Sequence, residues 1–250
     1  AFERAVEESE IARRLDLRAM PILTIDPQTA KDFDDALSVE PLDGGAVRLG
    51  VHIADVAHFV REGSALDAEA RDRATSIYPV DRVVPMLPPR LSDDFCSLRP
   101  NEDRLAMSVF IVYDANGAIR QTEVRESVIH SSLRLAYEEV QDFFDEKPFP
   151  RASELEALRP SLIGLRDLAR RLNRMRMERG ALDLDMPEAM VVMGPEGEVK
   201  DVRERERLES HRLVEECMLA ANEAMARLMA ERHLPGLYRI HEEPDPKSLE

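Results

Sequence analysis

The chain has 250 residues, with 34 Lys and Arg set against 50 Asp and Glu for a formal charge of -16. It can bury a full hydrophobic core as one large domain or two small ones, but it is too acidic to gather nucleic acid through its overall field. An anionic substrate must be met locally, by clustered arginines, by metal bound among carboxylates, or by separate basic modules elsewhere.

The first seventeen residues read as a charged helix carrying Ile11, Leu15 and Leu17, unlike a signal peptide. An apolar strand follows over 22–25, then a loop rich in aspartate, then a strand over 36–39, an Asp43-Gly44-Gly45 turn and an alternating strand over 47–54. Ser64 can cap a helix over 64–74, and the proline-rich run 83–89 must be extended. Residues 105–113 and 119–129 flank Asn116-Gly117, a hairpin signal in which both residues supply left-handed turn conformations. Helices are expected over 135–144, 153–178 and 205–232, with a second hairpin, 189–193 and 198–202, between the last two. No apolar run approaches the ~20 residues of a membrane span. Cys96 and Cys217, far apart and flanked by apolar residues, read as core thiols of a reducing compartment. The pattern predicts a single mixed α/β (α+β) domain over 1–250, mainly an antiparallel sheet wrapped by helices, in a monomeric, cytoplasmic protein without a membrane partner.

The aspartate loop carries the chemistry. Asp26, Asp32, Asp34 and Asp35 fall within ten residues, and two unit charges about 4 Å apart repel by roughly 4 kcal/mol at an effective dielectric near 20. Such a pocket calls for divalent metal or protons, and Mg2+, with Mn2+ as a substitute, suits a few carboxylates completed by phosphate and water. From spacing alone a solvated acidic loop or a structural calcium site is equally open, although an EF-hand is excluded by its missing glycine and closing glutamate.

Thr24-Ile25-Asp26-Pro27 with Asp32-Phe33-Asp34-Asp35-Ala36, then His52-Ile53-Ala54-Asp55-Val56, resembles the catalytic (RNB) domain of the ribonuclease II and ribonuclease R family. Val83-Val84-Pro85-Met86-Leu87-Pro88, Cys96-Ser97-Leu98, Asp103-Arg104 and the run from His211 to Asn222 extend the resemblance in order, from about Leu17 onward. It implies a hydrolytic exoribonuclease that degrades single-stranded RNA from its 3′ end to nucleoside 5′-monophosphates. It implies Asp26 and Asp35 as primary magnesium ligands, Asp32 and Asp34 as partners of a second ion or of the attacking water, and Asp34 as the residue most critical for turnover. Tyr78 matches a base-stacking aromatic, while Tyr137 and Glu215 match positions that contact the last nucleotides and favour ribose.

Two departures accompany the resemblance. Leu184 stands where the family often has an aromatic, and the chain stops before a Ser-Pro-Ile-Arg segment and an OB-fold domain, so a fragment truncated at its C-terminus is expected. The arginines over 166–179 read either as an RNA-backbone surface or as a face paired with nearby acids, and His52, His58 and His211 read as ordinary packing groups. The competing functions are a magnesium-dependent phosphatase, disfavoured because the first aspartate stands six residues before the next, and a catalytically silent RNA-binding homologue, disfavoured because all four aspartates are kept.

Overall fold

The computed structural model describes residues 6–80, 82–182, 189–195, 197–204 and 206–238. The elements in order are α1 (Glu8–Arg13), β1 (Leu15–Asp16), β2 (Ile22–Asp26), β3 (Asp35–Pro41), β4 (Val47–Ala54), α2 (Val56–Phe59), α3 (Ala65–Arg73), β5 (Asp103–Tyr113), β6 (Ile119–Ala136), α4 (Tyr137–Phe144), α5 (Ala152–Glu156), α6 (Arg159–Glu178), β7 (Ala189–Met193), β8 (Val199–Glu204) and α7 (Glu209–Glu231). Among the described residues, no helix is long and apolar enough to cross a membrane.

Six strands form one sheet in the order β1-β6-β2-β3-β4-β5, and β5 also pairs with β6, so the sheet returns on itself. Strand β6 makes this possible by its length. Its first part lies antiparallel to β5, from Ile119 opposite Tyr113 to His130 opposite Asp103. Its last part runs parallel to β2, from Ser131 opposite Ile22 to Ala136 opposite Asp26. The sheet is therefore mainly antiparallel, as the sequence suggested, with parallel pairing confined to β1 and β2 on β6. Strands β7 and β8 make a separate two-stranded sheet.

Strand alternation sorts side chains onto two faces. Leu23, Ile25, Leu37, Val39, Leu49, Val51, Val109 and Ile111 join the apolar sides of α6 and α7 in one core. Their neighbours Ile22, Ala36, Ala106 and Phe110 face a second core closed by Leu87, Leu91, Phe95, Cys96 and Leu98. Both cysteines are free and buried, as expected.

A polar thread crosses the second face. His52 is fully buried, its Nε2 lying 2.9 Å from Ser38 Oγ and its Nδ1 2.6 Å from Ser108 Oγ. Ser108 Oγ is 2.6 Å from Ser127 Oγ, which donates to the Ala106 carbonyl. With Ser127's proton committed to that carbonyl, Ser108 donates to Ser127, His52 Nδ1–H donates to Ser108, and Ser38 donates to a neutral Nε2. Burial, aided by the Arg48 charge, holds the His52 pKa down at about 3. Gly50 makes room for this thread, since a Cβ there would lie 2.3 Å from Ser38 Oγ.

Several expectations are corrected. The N-terminal helix is short, because Leu15 and Asp16 leave it to pair with Ser127 and Val128; residues 1–5 lie outside the described part. The hairpin between β5 and β6 turns on Gly117 alone (φ 86°), with Asp114 Oδ1 accepting from the Asn116 and Ala118 amides, and Asn116 is not left-handed. The strand then continues through Leu135 and Ala136, where a helix was expected, because β2 offers them a parallel partner. The helix expected over 153–178 is broken into α5 and α6 next to Pro160, which begins α6 within its first turn. Residues 91–95 form one wide helical turn that no sequence signal announced. The cap at Ser64 stands as expected, its Oγ accepting from the Asp67 amide at 3.2 Å.

Candidate active site

The aspartate loop connects two neighbouring strands at one end of the sheet. Asp26 is the last residue of β2 and Asp35 the first of β3. Asp26 is only 8% exposed and its Oδ2 has no hydrogen-bond partner. Burial first, then the charge of Asp35, raise its pKa to about 7, with Asp32 adding to the rise and the neighbouring Thr24 hydroxyl and Arg134 opposing it. Asp35 is raised to about 6 by burial and by Asp34. Asp34 is exposed as a residue, yet the protein packed around its carboxylate, followed by the charge of Asp32, raises it too.

Of the four aspartates, Asp26, Asp34 and Asp35 each thus sense at least one other. They do not close around a point: among the described residues, no three His, Cys, Asp or Glu side chains converge tightly enough to enclose a metal ion. The donor chemistry nonetheless fits a hard divalent cation. A buried carboxylate oxygen without a partner, held beside a second carboxylate that raises its pKa, is stabilised by a nearby cation. Mg2+ in particular uses one or two carboxylates and keeps waters or takes phosphate oxygens for the remainder.

The loop backbone is tied from four directions. Ala54 N donates to Asp34 O at 2.9 Å and Leu98 N to Phe33 O at 2.8 Å. Ser97 Oγ accepts from Phe33 N at 3.0 Å and donates to Lys31 O at 2.8 Å. Arg134 Nη2 donates to Pro27 O at 2.5 Å, while its guanidinium lies 5.4 Å from the centre of the Phe33 ring. The peptide groups, not the carboxylates, hold the loop.

Tyr137 comes next. It directly follows Ala136, whose partner in β2 is Asp26, so the sheet register carries it to the edge of the aspartate site. Its ring stacks on His211 with centroids 4.2 Å apart and planes at 26°. Glu215 lies one turn further along α7 and is held by Arg207 at 2.8 Å, with Arg176 at 3.6 Å. Tyr137, His211 and Glu215 therefore run from the end of β6 along one side of α7. Tyr78 belongs to a different element, the loop in which Ile77 bridges Val84, and is 66% exposed among Ile77, Val80 and Val83. No contact joins it to the aspartates among the described residues.

Two arginines of α6 pair with acids of α7, Arg170 with Glu209 and Arg176 with the buried Glu216 at 2.6 Å, while Arg171 donates to the main-chain carbonyl of Asp114. The notable residues that sequence reasoning assigned no role are His211, Arg134 and Ser97. His211 was read as a packing group, and its stacking on Tyr137 joins residues 74 positions apart in the chain, a juxtaposition without a local signal. Leu184, where an aromatic was missed, lies outside the described residues.

The RNB domain family model matches residues 14–250. Ribonuclease R of Thermotoga maritima is 44% identical over 250 residues, covering 100% of this chain and 35% of that protein. Ribonuclease R of Escherichia coli is 37% identical over 254 residues, covering 99% of this chain and 30% of that protein. The chain thus spans about a third of the curated relatives it matches. Among solved structures, Mycoplasma genitalium RNase R in complex with ribose methylated single-stranded RNA is similar with a TM-score of 0.92 at 32% identity, over 100% of this chain and 38% of that one. Yeast Ssd1, a pseudonuclease, is similar with a TM-score of 0.71 at 22% identity, over 91% of this chain and 27% of that one, a likeness of fold alone. Because the fold also serves a pseudonuclease, activity has to be argued from the side chains.

Proposed function

This chain belongs to the RNB domain family, and from that membership we propose that it is the catalytic domain of a hydrolytic exoribonuclease, one that shortens single-stranded RNA from the 3′ end and releases nucleoside 5′-monophosphates. The chain, which spans about a third of its curated relatives, acts as one catalytic unit of a cytoplasmic protein whose other domains bind RNA. The single observation that carries the catalytic reading is Asp26: a carboxylate 8% exposed, with an unpartnered oxygen, whose pKa is raised beside Asp35. A loop kept only for solubility would expose its charges.

In this reading Asp26 and Asp35 hold magnesium, and Asp32 and Asp34 serve a second ion or the attacking water. Bound magnesium supplies Lewis acidity, making a water more acidic and neutralising charge on the phosphate. Asp34, exposed and raised in pKa, is suited to orient that water and to take its proton at a carboxylate oxygen. Tyr137, fixed by His211, and Glu215, fixed by Arg207, flank the last nucleotides; a phenol or carboxylate accepting from the 2′-hydroxyl favours ribose. Tyr78 stacks on a base further from the cut, which is sequence-tolerant and contributes ~1–3 kcal/mol per base.

The test is digestion of a 5′-labelled RNA by the complete protein with Mg2+, alongside EDTA and an all-DNA strand. A ladder that shortens from the 3′ end, stops with EDTA and leaves DNA intact is the expected result. Cleavage independent of metal, or equal decay of DNA, refutes the assignment.

A further inference from the structure

We propose that Ser97 is a positioning residue for the reaction, its buried hydroxyl clipping the aspartate loop on both sides of Asp32. The inference rests on the exoribonuclease reading and deepens it.

Ser97 is fully buried. A serine hydroxyl has a single proton to give and lone pairs to receive. Here the proton goes to Lys31 O at 2.8 Å and a lone pair takes the Phe33 amide at 3.0 Å. The two bonded residues bracket Asp32, so one oxygen fixes the peptide groups before and after that aspartate. The next residue along is also a backbone tether, from Leu98 N to Phe33 O.

The clip is itself anchored. Arg104, 4% exposed, donates from Nε to Ser97 O at 2.9 Å, and its Nη2 binds Glu102 at 2.5 Å. Phe33 is 8% exposed and packs in the core that also holds Leu98 and Cys96, whereas Asp32 is half-buried and Asp34 exposed. The loop is thus pinned through Phe33 while its two flanking carboxylates stay available. Their mutual repulsion pushes the loop toward spreading, and the hydroxyl holds the peptide groups against it. Ser97 touches neither carboxylate, so its effect on chemistry runs through backbone placement.

Ser97→Ala removes both bonds but leaves the Leu98 and Arg104 tethers, which are backbone contacts on the Ser97 segment. In the complete protein we expect kcat to fall about 10- to 100-fold, the range typical when a group supporting metal ligands is removed. The KM for RNA should stay near the parental value, because the base- and ribose-contacting residues lie on other elements. The Mg2+ concentration for half-maximal rate should rise. In metal-free protein, hydrogen exchange of the Phe33 amide should quicken at least about tenfold, as expected for a buried amide that loses its acceptor. Ser97→Thr, which keeps the hydroxyl, should recover part of kcat and of the protection.

Parental kcat with parental Mg2+ dependence in Ser97→Ala overturns the proposal, as does unchanged Phe33 exchange. So does a fall in active fraction that leaves the kcat of the folded molecules unaltered, which is the mark of a purely structural role. Where the alanine protein does not fold, Ser97→Cys keeps the volume with weaker bonds, and parental kcat there overturns the proposal equally. Absence of Mg2+-dependent cleavage by the parent refutes the exoribonuclease reading instead, and Phe33 exchange then still decides whether the clip exists.

Discussion

Replacing Asp26 by asparagine should make the metal-free fold more stable at pH 8 while disabling the site. A carboxylate whose folded pKa is raised favours folding below its unfolded value, near 3.9, and that contribution is lost as pH rises through the folded value, here about 7. At pH 8 the parent therefore carries a destabilising charge. The shift from 3.8 to about 7, at 1.36 kcal/mol per unit, sets a ceiling of ~4 kcal/mol. Two effects modify it. Asp35 is raised as well, so removing the Asp26 charge also relieves its neighbour. Against that, the asparagine amide replaces an oxygen that has no partner, and a buried unsatisfied donor costs roughly 1–3 kcal/mol. The net expectation is a gain of about 1–3 kcal/mol at pH 8 that vanishes or reverses near pH 4. Urea unfolding in EDTA at pH 4, 6 and 8 measures it, and Mg2+ should stabilise the parent more than the variant. A difference between the two proteins that is the same at pH 4 and pH 8 refutes the reasoning, because it leaves no role for the Asp26 charge.

Asp34→Asn should retain RNA binding by filter or anisotropy assay while lowering the hydrolysis rate by at least about 100-fold, the scale of losing a positioned base; parental turnover refutes the role of Asp34. Tyr78→Ala should lengthen the terminal oligonucleotide that resists digestion and weaken binding by ~1–3 kcal/mol, read by product length and Kd. Glu215→Gln should narrow the preference for RNA over DNA, measured as the ratio of the two rates, with little effect on stability because Glu215 is partly exposed. His52, whose folded pKa is held at about 3 against 6.5, favours folding above pH 6.5, and that contribution is lost as pH falls toward 3. His52→Leu should therefore remove up to one proton, about 1.36 kcal/mol per pH unit, from the slope of stability between those values; an unchanged slope counts against the neutral buried thread.

Much of the site was legible because its donors are local. The chain from Asp26 to Asp35 is a single loop between two apolar runs, so four carboxylates that would repel one another if folded together are visible as neighbours in the sequence. The hairpin at Gly117 and the cap at Ser64 were legible for the same reason, since turns and caps are written in neighbouring residues. Asn116 was misjudged because the Asp114 side chain, by bonding the turn amides, permits a longer turn with one left-handed glycine.

What only tertiary structure decided is distance along the chain made short in space. Leu135 and Ala136 have helical neighbours, but β2 gives their peptide groups parallel hydrogen bonds, and that pairing sets Ala136, the residue before Tyr137, opposite Asp26. The arginine run of α6 was ambiguous until Glu209 and Glu216 on α7 were placed against it. Ser97 shows the contrast most clearly. The sequence by itself determined that four carboxylates crowd one loop and, through the family resemblance, supplied the roles proposed for them. Only the fold brings a hydroxyl 66 residues from Lys31 to the loop's backbone, because hydrogen bonds are satisfied by whatever group burial places within reach, and burial is a property of the packed chain.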